Sequence, residues 1–205
     1  MVGFNINEFR ERGLIYGGAR PSQFLVQITP PAGIGVNVAS RVQFLVHAAS
    51  LPAMQIGQVG APYFGETIKF AGDRTFGDWM VGVINDEDFA IRAMLESWSN
   101  AINALISNRM APDTWPTGYK TNATVYQHGK DGALIRAYRF EGIWPMMIDQ
   151  IQLGWGMKDS MEEFGVTFSV DYYEPVNQST SPDQYNPLLP DDQQGPIGGN
   201  PSVFG

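Results

Sequence analysis

Cysteine is absent from the 205 residues, which excludes disulfides, thiolate metal sites and cysteine nucleophiles. Bases are missing from the last part of the chain: all 13 Lys and Arg lie at or before Lys158. Eight acids follow from Asp159 to Gly205, so the formal charge of −8 sits wholly there and the first 158 residues balance. That is not the basic footprint of a protein that grips phosphate. Acidic surface repels a nucleic-acid backbone and suits passage rather than binding; a solvated, solubilising tail is the other reading of the same charge. No run of 18 apolar residues exists, so no segment is expected to cross a bilayer as a helix. The first residues hold no basic stretch followed by an apolar block, so no secretory signal is expected. Charged residues are only 17% against 43% hydrophobic, which argues against wholesale disorder and allows one good core.

Recognisable catalytic patterns are missing too. The two histidines, His47 and His128, lack HExxH or zinc-finger spacing. No GxSxG elbow, GxGxxG turn, P-loop or calcium-loop spacing occurs. The carboxylates Asp73, Asp78, Asp86, Glu87 and Asp88 crowd one stretch, and a glycosidase needs two carboxylates across a cleft. Three of the five are accounted for as helix-start acids, and Asp73 sits beside Arg74 in an expected turn. No enzymatic role, cofactor or metal is expected.

What is present is mostly β pattern. Phe24 to Thr29 reads as a strand, stopped by Pro30 and Pro31. Arg41 to Ala48 alternates Val42, Phe44, Val46 and Ala48 with more polar neighbours and reads as a second strand. Residues 54–69 read as an extended loop or hairpin, and Phe76 to Ile84 as a central strand. Thr121 to Gln127 and Ala133 to Ile143 frame an Asp131-Gly132 turn, with Trp144-Pro145 ending the second of them. Ile151 to Trp155 reads as a short strand, and Phe164 to Tyr173 has the cleanest alternation in the chain.

One segment breaks the pattern. Residues 86–107 place Ile91, Leu95, Trp98, Ile102 and Leu105 at spacings of four, three, four and three, which predicts an amphipathic helix of about five turns. Asn85 followed by Asp88, or Asp86 itself, is the expected cap, and Arg92 with Glu96 an expected pair one turn apart. Trp98 and Trp79 belong to apolar stripes and are expected in the core; Trp115 lies in a polar loop. Residues 1–18 read as an arm with scattered apolar residues and a short helix near Ile6 to Arg12. Residues 175–205 hold six prolines and four glycines and read as an irregular extension, disordered alone or laid over a partner. The fold class that follows is mainly β, an antiparallel sandwich or barrel with one long helix packed beside it. A fold without a visible site, carrying an apolar arm, an insertion and an extension, points to assembly, since open strand edges are hidden by pairing with copies.

The chain resembles the tail tube proteins of contractile-tailed bacteriophages. The resemblance rests on Ala71 to Trp79 (AGDRTFGDW), continuing through Val83 to Glu87 (VINDE) into the helix. In order along the chain, Ala19-Arg20-Pro21, Ala49 to Ala53, Gly142 to Pro145 and Leu153 to Asp159 also match, so that it covers residues 19–174, while residues 31–40 and the extension depart from it. It implies a tube-type β domain over 19–174, flanked by the arm and the extension. It implies homo-hexameric rings stacked into a hollow tube, through which genomic DNA passes. The implied partners are a contractile sheath, baseplate and tail terminator proteins, and a tape measure protein and double-stranded DNA in the lumen, with no membrane anchor. The implied location is the virion, after assembly in the host cytoplasm. Asp73, Arg74, Asp78, Glu66 and Lys69 then become expected interface residues; a local salt-linked turn of Asp73, Arg74 and Asp78 is the alternative. A tube-like subunit of a baseplate, type VI secretion or other injection device is the second reading of function, and a carbohydrate-binding sandwich the third.

Overall fold

The computed structural model describes residues 6–14, 17–35, 38–110 and 118–176. Trp115, the first five residues of the arm and the extension beyond Val176 lie outside the described residues. In chain order the elements are α1 (Ile6–Glu8) with a π-helical turn (Phe9–Gly13), β1 (Phe24–Ile28), α2 (Ala39–Leu45), β2 (Val46–Ala49), β3 (Met54–Tyr63) and β4 (Glu66–Phe76). There follow β5 (Trp79–Ile84), α3 (Ala90–Ile102), β6 (Thr121–His128), β7 (Leu134–Ile148), β8 (Glu163–Ser169) and β9 (Tyr172–Pro175). The chain divides into two compact units. One comprises residues 25–125 and 138–175; the other comprises 1–24, 126–137 and 176–205.

The larger unit holds most of the sheet, whose strands run in the order β1-β6-β7-β8-β5-β2, with β9 also paired to β7. Its core follows from period-2 alternation. Trp79, Val81 and Val83 of β5 lie opposite Phe168, Val166 and Phe164 of β8, so all six point to one face and are buried. Against that face α3 buries Ile91, Met94, Leu95 and Trp98, the first part of its predicted stripe; Ile102 is half-buried, and Leu105, beyond the helix end, is exposed. Trp79 stacks on Phe140 with centroids 4.5 Å apart, and Phe168 lies 5.4 Å from Trp79 and 6.1 Å from Trp98. Each such ring removed from water contributes on the order of 2–3 kcal/mol. The Trp98 indole N–H donates to the Tyr119 carbonyl at 2.8 Å, which satisfies that ring's polar atom, whereas the buried Trp79 indole N–H has no partner among the described residues.

The start of α3 is held from outside. Asp86 and Asp88 both accept from Arg41, the Asp88 bond at 2.5 Å. Asp88 also accepts from the Ala90 N–H at 3.1 Å, which satisfies one of the free amides of the first turn. The guanidinium bond, then the Ala90 amide, hold the Asp88 carboxyl below the ordinary carboxylate range; the same bond raises Arg41.

The smaller unit contains the turn after β6. Gly132 takes φ +82°, Asp131 accepts from the Ala133 N–H at 3.1 Å, and Gly129 donates to the Ala133 carbonyl at 2.7 Å. The His128 N–H donates to the Gln23 carbonyl at 2.9 Å and the Val176 N–H to Ala137 at 3.0 Å.

Several sequence expectations are corrected. No closed barrel forms among the described residues: the sheet path ends at β1 and β2, which do not pair with each other. Nor does one long helix dominate, since α3 has 13 residues, about three and a half turns, beside the shorter α1 and α2. It starts late because Phe89 takes φ +53° after the Arg41-bound turn. It stops early because Asn100 accepts from the Leu105 N–H and Asn103 donates to Asn108, contacts that compete with the helical ladder. Neither Asn85 nor Asp86 caps it: the cap position is Phe89, which makes no side-chain cap bond, and Asp88, one residue ahead, accepts from the Ala90 N–H. Residues 39–45 are helical, not extended. Val42 and Val46, the buried pair, are four apart, a spacing common to both patterns. Gly77 and Asp78 separate β4 from β5, and Ile151 to Trp155 is not a strand.

Trp144-Pro145 does not end β7, which runs on to Ile148; the proline sits beside a register shift, where its missing N–H is tolerated. Opposite β7, residues 163–175 pair in two pieces, β8 and β9, interrupted at Val170 and Asp171. Gly142 faces that interruption at φ +66°, and a Cβ there would lie 2.1 Å from an Asp171 carboxylate oxygen. The same carboxylate pairs with the Lys120 ammonium at 2.6 Å.

Candidate functional site

The candidate site is the β3–β4 hairpin and the ground around it. Its strands pair from Met54↔Phe76 to Tyr63↔Glu66. The two-residue turn, Phe64 (φ +47°) and Gly65 (φ +93°), has positive φ at both positions, as type I′ requires. Ten residues of β3 give an arm about 33 Å long. Its root is tied down: the Gly77 N–H donates to Ala53 at 3.0 Å, Phe76 meets the Tyr173 ring at 5.3 Å, and the Tyr173 hydroxyl donates to Pro52 at 2.8 Å.

Midway, the register shifts between Ile56 and Gln58, so Gly57 faces both Gly72 and Asp73. A Cβ at Gly72 would come within 3.2 Å of the Gly57 backbone, so glycine is what lets the strands close at the bulge. Near the root, Met54, Ile56 and Phe76 share one face. Beyond the bulge, Val59, Ala61, Tyr63, Ile68 and Phe70 share the opposite one, while Gln58, Gly60, Pro62, Thr67 and Lys69 lie behind them. Val59, Ile68 and Phe70 are each more than half exposed and Phe64 is 93% exposed. Exposed apolar area of this kind on a two-stranded arm is what protein contacts commonly bury.

The expected interface residues fall here. Glu66, Lys69, Asp73 and Arg74 are on β4 and Asp78 in the link to β5, all exposed. Glu66 lies opposite Tyr63, Lys69 opposite Gly60, and Arg74 opposite Ile56, where its guanidinium donates to the Met54 sulfur at 3.0 Å. The alternative of a salt-linked turn is not what forms: among the described residues no ion pair joins Arg74 to Asp73 or Asp78. Asp86 and Asp88 are occupied by Arg41, which sequence reasoning missed because the partners are 45 and 47 residues apart. Arg92 and Glu96 pair at 2.9 Å, one turn apart as expected. His47 stands 3.6 Å from Glu163. No group of His and acids fit to hold a metal occurs among the described residues, and no helix there is long and apolar enough to cross a membrane.

Residues 19–175 match the family described as phage tail tube protein. The tail tube protein gp19 of Enterobacteria phage T4 is 32% identical over 157 residues, covering 76% of this chain and 91% of that protein. A tail tube protein of Serratia phage KSP90 is 25% identical over 174 residues, covering 84% and 96%. The fold is similar to a chain in the sheath-tube complex of an extracellular contractile injection system, PVC, in its extended state, with a TM-score of 0.57 at 10% identity over 85% of this chain and 99% of that one. It is also similar to the tube-terminating cap of the anti-feeding prophage, with a TM-score of 0.56 at 12% identity over 78% and 92%. By sequence and by fold, the chain belongs to the phage tail tube protein family, a structural, tube-forming subunit of the virion rather than an enzyme.

Proposed function

We propose that copies of this chain close into hexameric rings, that the rings stack into a hollow tube inside a contractile sheath, and that genomic DNA leaves through the lumen. The observation that carries this reading is the open sheet. One protomer ends in two strands, β1 and β2, whose outer edges have no strand partner among the described residues. Pairing those edges between copies hides them and continues the sheet around a channel. The projecting hairpin then reaches a neighbouring subunit or ring, with Glu66, Lys69, Asp73, Arg74 and Asp78 as the polar part of that contact.

The sheath, baseplate, tail terminator and tape measure proteins are the partners this role requires, and assembly takes place in the host cytoplasm. Residues 19–174 are the tube domain, with the arm (1–18) and the extension (175–205) as additions to it. The formal charge of −8 supports passage rather than retention of DNA, because acidic walls repel phosphate. The test is native mass measurement of the purified chain across a concentration series. A species of six chains supports the reading, whereas dimers or open ladders with no step at six contradict it.

A further inference from the structure

We infer that the loop closing α3, with Leu105 and Ile106 at its tip, docks on the Trp155 loop of a copy in the next ring. This rests on the tube reading and assigns it a pair of surfaces distinct from the hairpin.

The α3 loop is ordered and holds its apolar tip in water. The Asn108 N–H donates to the Ala104 carbonyl at 2.8 Å and the Ala104 N–H to the Arg109 carbonyl at 3.1 Å, which closes the loop. Asn100 accepts from the Leu105 N–H at 3.0 Å and Asn103 donates to Asn108 at 2.6 Å, which ties the loop to the last turn of α3. Leu105 is nevertheless 84% exposed and Ile106 fully exposed. The Trp155 loop repeats the arrangement. The Met157 N–H donates to the Gly154 carbonyl at 3.0 Å, and Trp155 is fully exposed, with Leu153 and Met161 largely so. Apolar side chains kept in water by ordered loops are what protein contacts bury, and Trp is enriched at their centres.

The path of α3 puts the two loops at opposite ends of one strand pair. Near its start, the Arg92 guanidinium lies 5.2 Å from the Phe164 ring and donates to the Asp149 carbonyl at 3.1 Å. Further along, the Trp98 ring lies 6.1 Å from Phe168. Phe164 pairs with Val83 and Phe168 with Trp79, so the helix runs from the Ile84–Glu163 end of β5 and β8 to the Trp79–Phe168 end, where its loop opens. The Trp155 loop leaves and returns at the other end: the Asp149 N–H donates to the Gly165 carbonyl at 2.8 Å, and Glu163 pairs with Ile84. With copies joined through β1 and β2, the hydrogen-bonding direction runs around the ring, and the strand ends face the rings above and below. Stacking of identical rings needs two different surfaces at those ends, and the two loops supply them. Their charges differ in the required sense. Arg109, on the α3 loop, is the one charged residue from Ser97 to Pro112. The Trp155 end collects Glu87, Asp159, Glu162 and Glu163 against Lys158, besides the Asp86 and Asp88 carboxylates that Arg41 occupies. A second copy is thus the occupant that placement, apolar surface and charge together fit.

The cysteine-free chain allows a direct test that leaves both apolar tips intact. Ser107→Cys places a thiol beside Ile106, and Gly156→Cys places one beside Trp155, where a Cβ meets nothing within 4 Å. The full-length proteins are prepared separately, assembled alone and mixed, and treated with a short bismaleimide. Cross-linked dimers in the mixture, with none from either protein alone, are expected. Dimers from either protein alone overturn the proposal, because like loops then meet. Wild-type tubes visible by electron microscopy with no cross-link in the mixture also overturn it while leaving the tube reading standing. A wild-type chain that stays monomeric under the same conditions overturns the tube reading itself, and the proposal with it. As an independent readout, Ile106→Asp is expected to keep the monomer's melt and the six-chain species while raising the critical concentration for tube growth roughly thirtyfold. An unchanged critical concentration, or loss of the six-chain species, overturns the stacking contact.

Discussion

Replacing Gly142 by alanine tests how β7 is bent to serve two partners. The residue holds φ +66°, and its missing Cβ leaves room for Asp171, whose carboxylate would otherwise lie 2.1 Å away. Two costs follow. Placing an L side chain in the left-handed region costs about 1–2 kcal/mol. The Asp171 carboxylate must also rotate away, which breaks its pair with Lys120 at 2.6 Å. That pair is partly solvated, at 29% and 50% exposure, so its loss adds at most about 1 kcal/mol. Together Gly142→Ala should destabilise by about 2 kcal/mol, a fall in Tm of roughly 4–8 °C for a chain of this size. The assay is thermal and urea unfolding of the unassembled protein in wild-type and Asp171→Ala backgrounds. In the second background only the backbone strain remains, so the cost should drop by up to about 1 kcal/mol. An equal cost in both backgrounds would refute the steric argument. A cost below about 0.5 kcal/mol in the wild type would refute the strained backbone as well.

Three further outcomes are expected. Arg74→Glu, on the exposed face of β4, should weaken ring or tube formation measured by sedimentation while the monomer melts as before; loss of the cooperative melt would mean a local role instead. Phe64→Gly removes a non-glycine residue from φ +47° and should stabilise the monomer by up to about 1 kcal/mol while lowering tube yield, and a destabilised monomer would contradict the turn assignment. Because Arg41 depresses the Asp88 carboxyl, its contribution is fully present above the unfolded value, roughly pH 4, and is lost as pH falls through the lower folded one. Wild type and Asp88→Asn should therefore differ in Tm at pH 7 and converge at strongly acid pH; a difference that persists there would remove the ion pair as its cause.

The readable parts of the chain were those where one periodicity had no rival. β5, β8 and the stripe of α3 were legible because Trp79, Val81, Val83 and Ile91, Leu95, Trp98 are buried on one side only. The segment from Ala39 to Leu45 was not, because Val42 and Val46 satisfy a strand and a helix alike. The ends of α3 were hidden for a different reason: they are set by Arg41 and by asparagine side chains, partners that no local pattern reveals. Gly142 stood out as part of a shared motif, but its purpose depends on Asp171, which meets it only across the sheet. In the candidate site, sequence located the hairpin residues, yet the Gly57–Gly72 bulge that moves the apolar face from one side to the other follows only from the register. Trp155 was visible in the sequence; its full exposure was not, because exposure depends on what the rest of the chain packs around the loop.

The central claim is that the open sheet of one chain closes only with its copies. Electron microscopy of the purified full-length protein tests it most directly. Six-fold rings and hollow, regularly striated tubes are expected, in which β1 and β2 of adjacent subunits continue one sheet. Rings or filaments in which both edges stay solvent-facing and unpaired would contradict it.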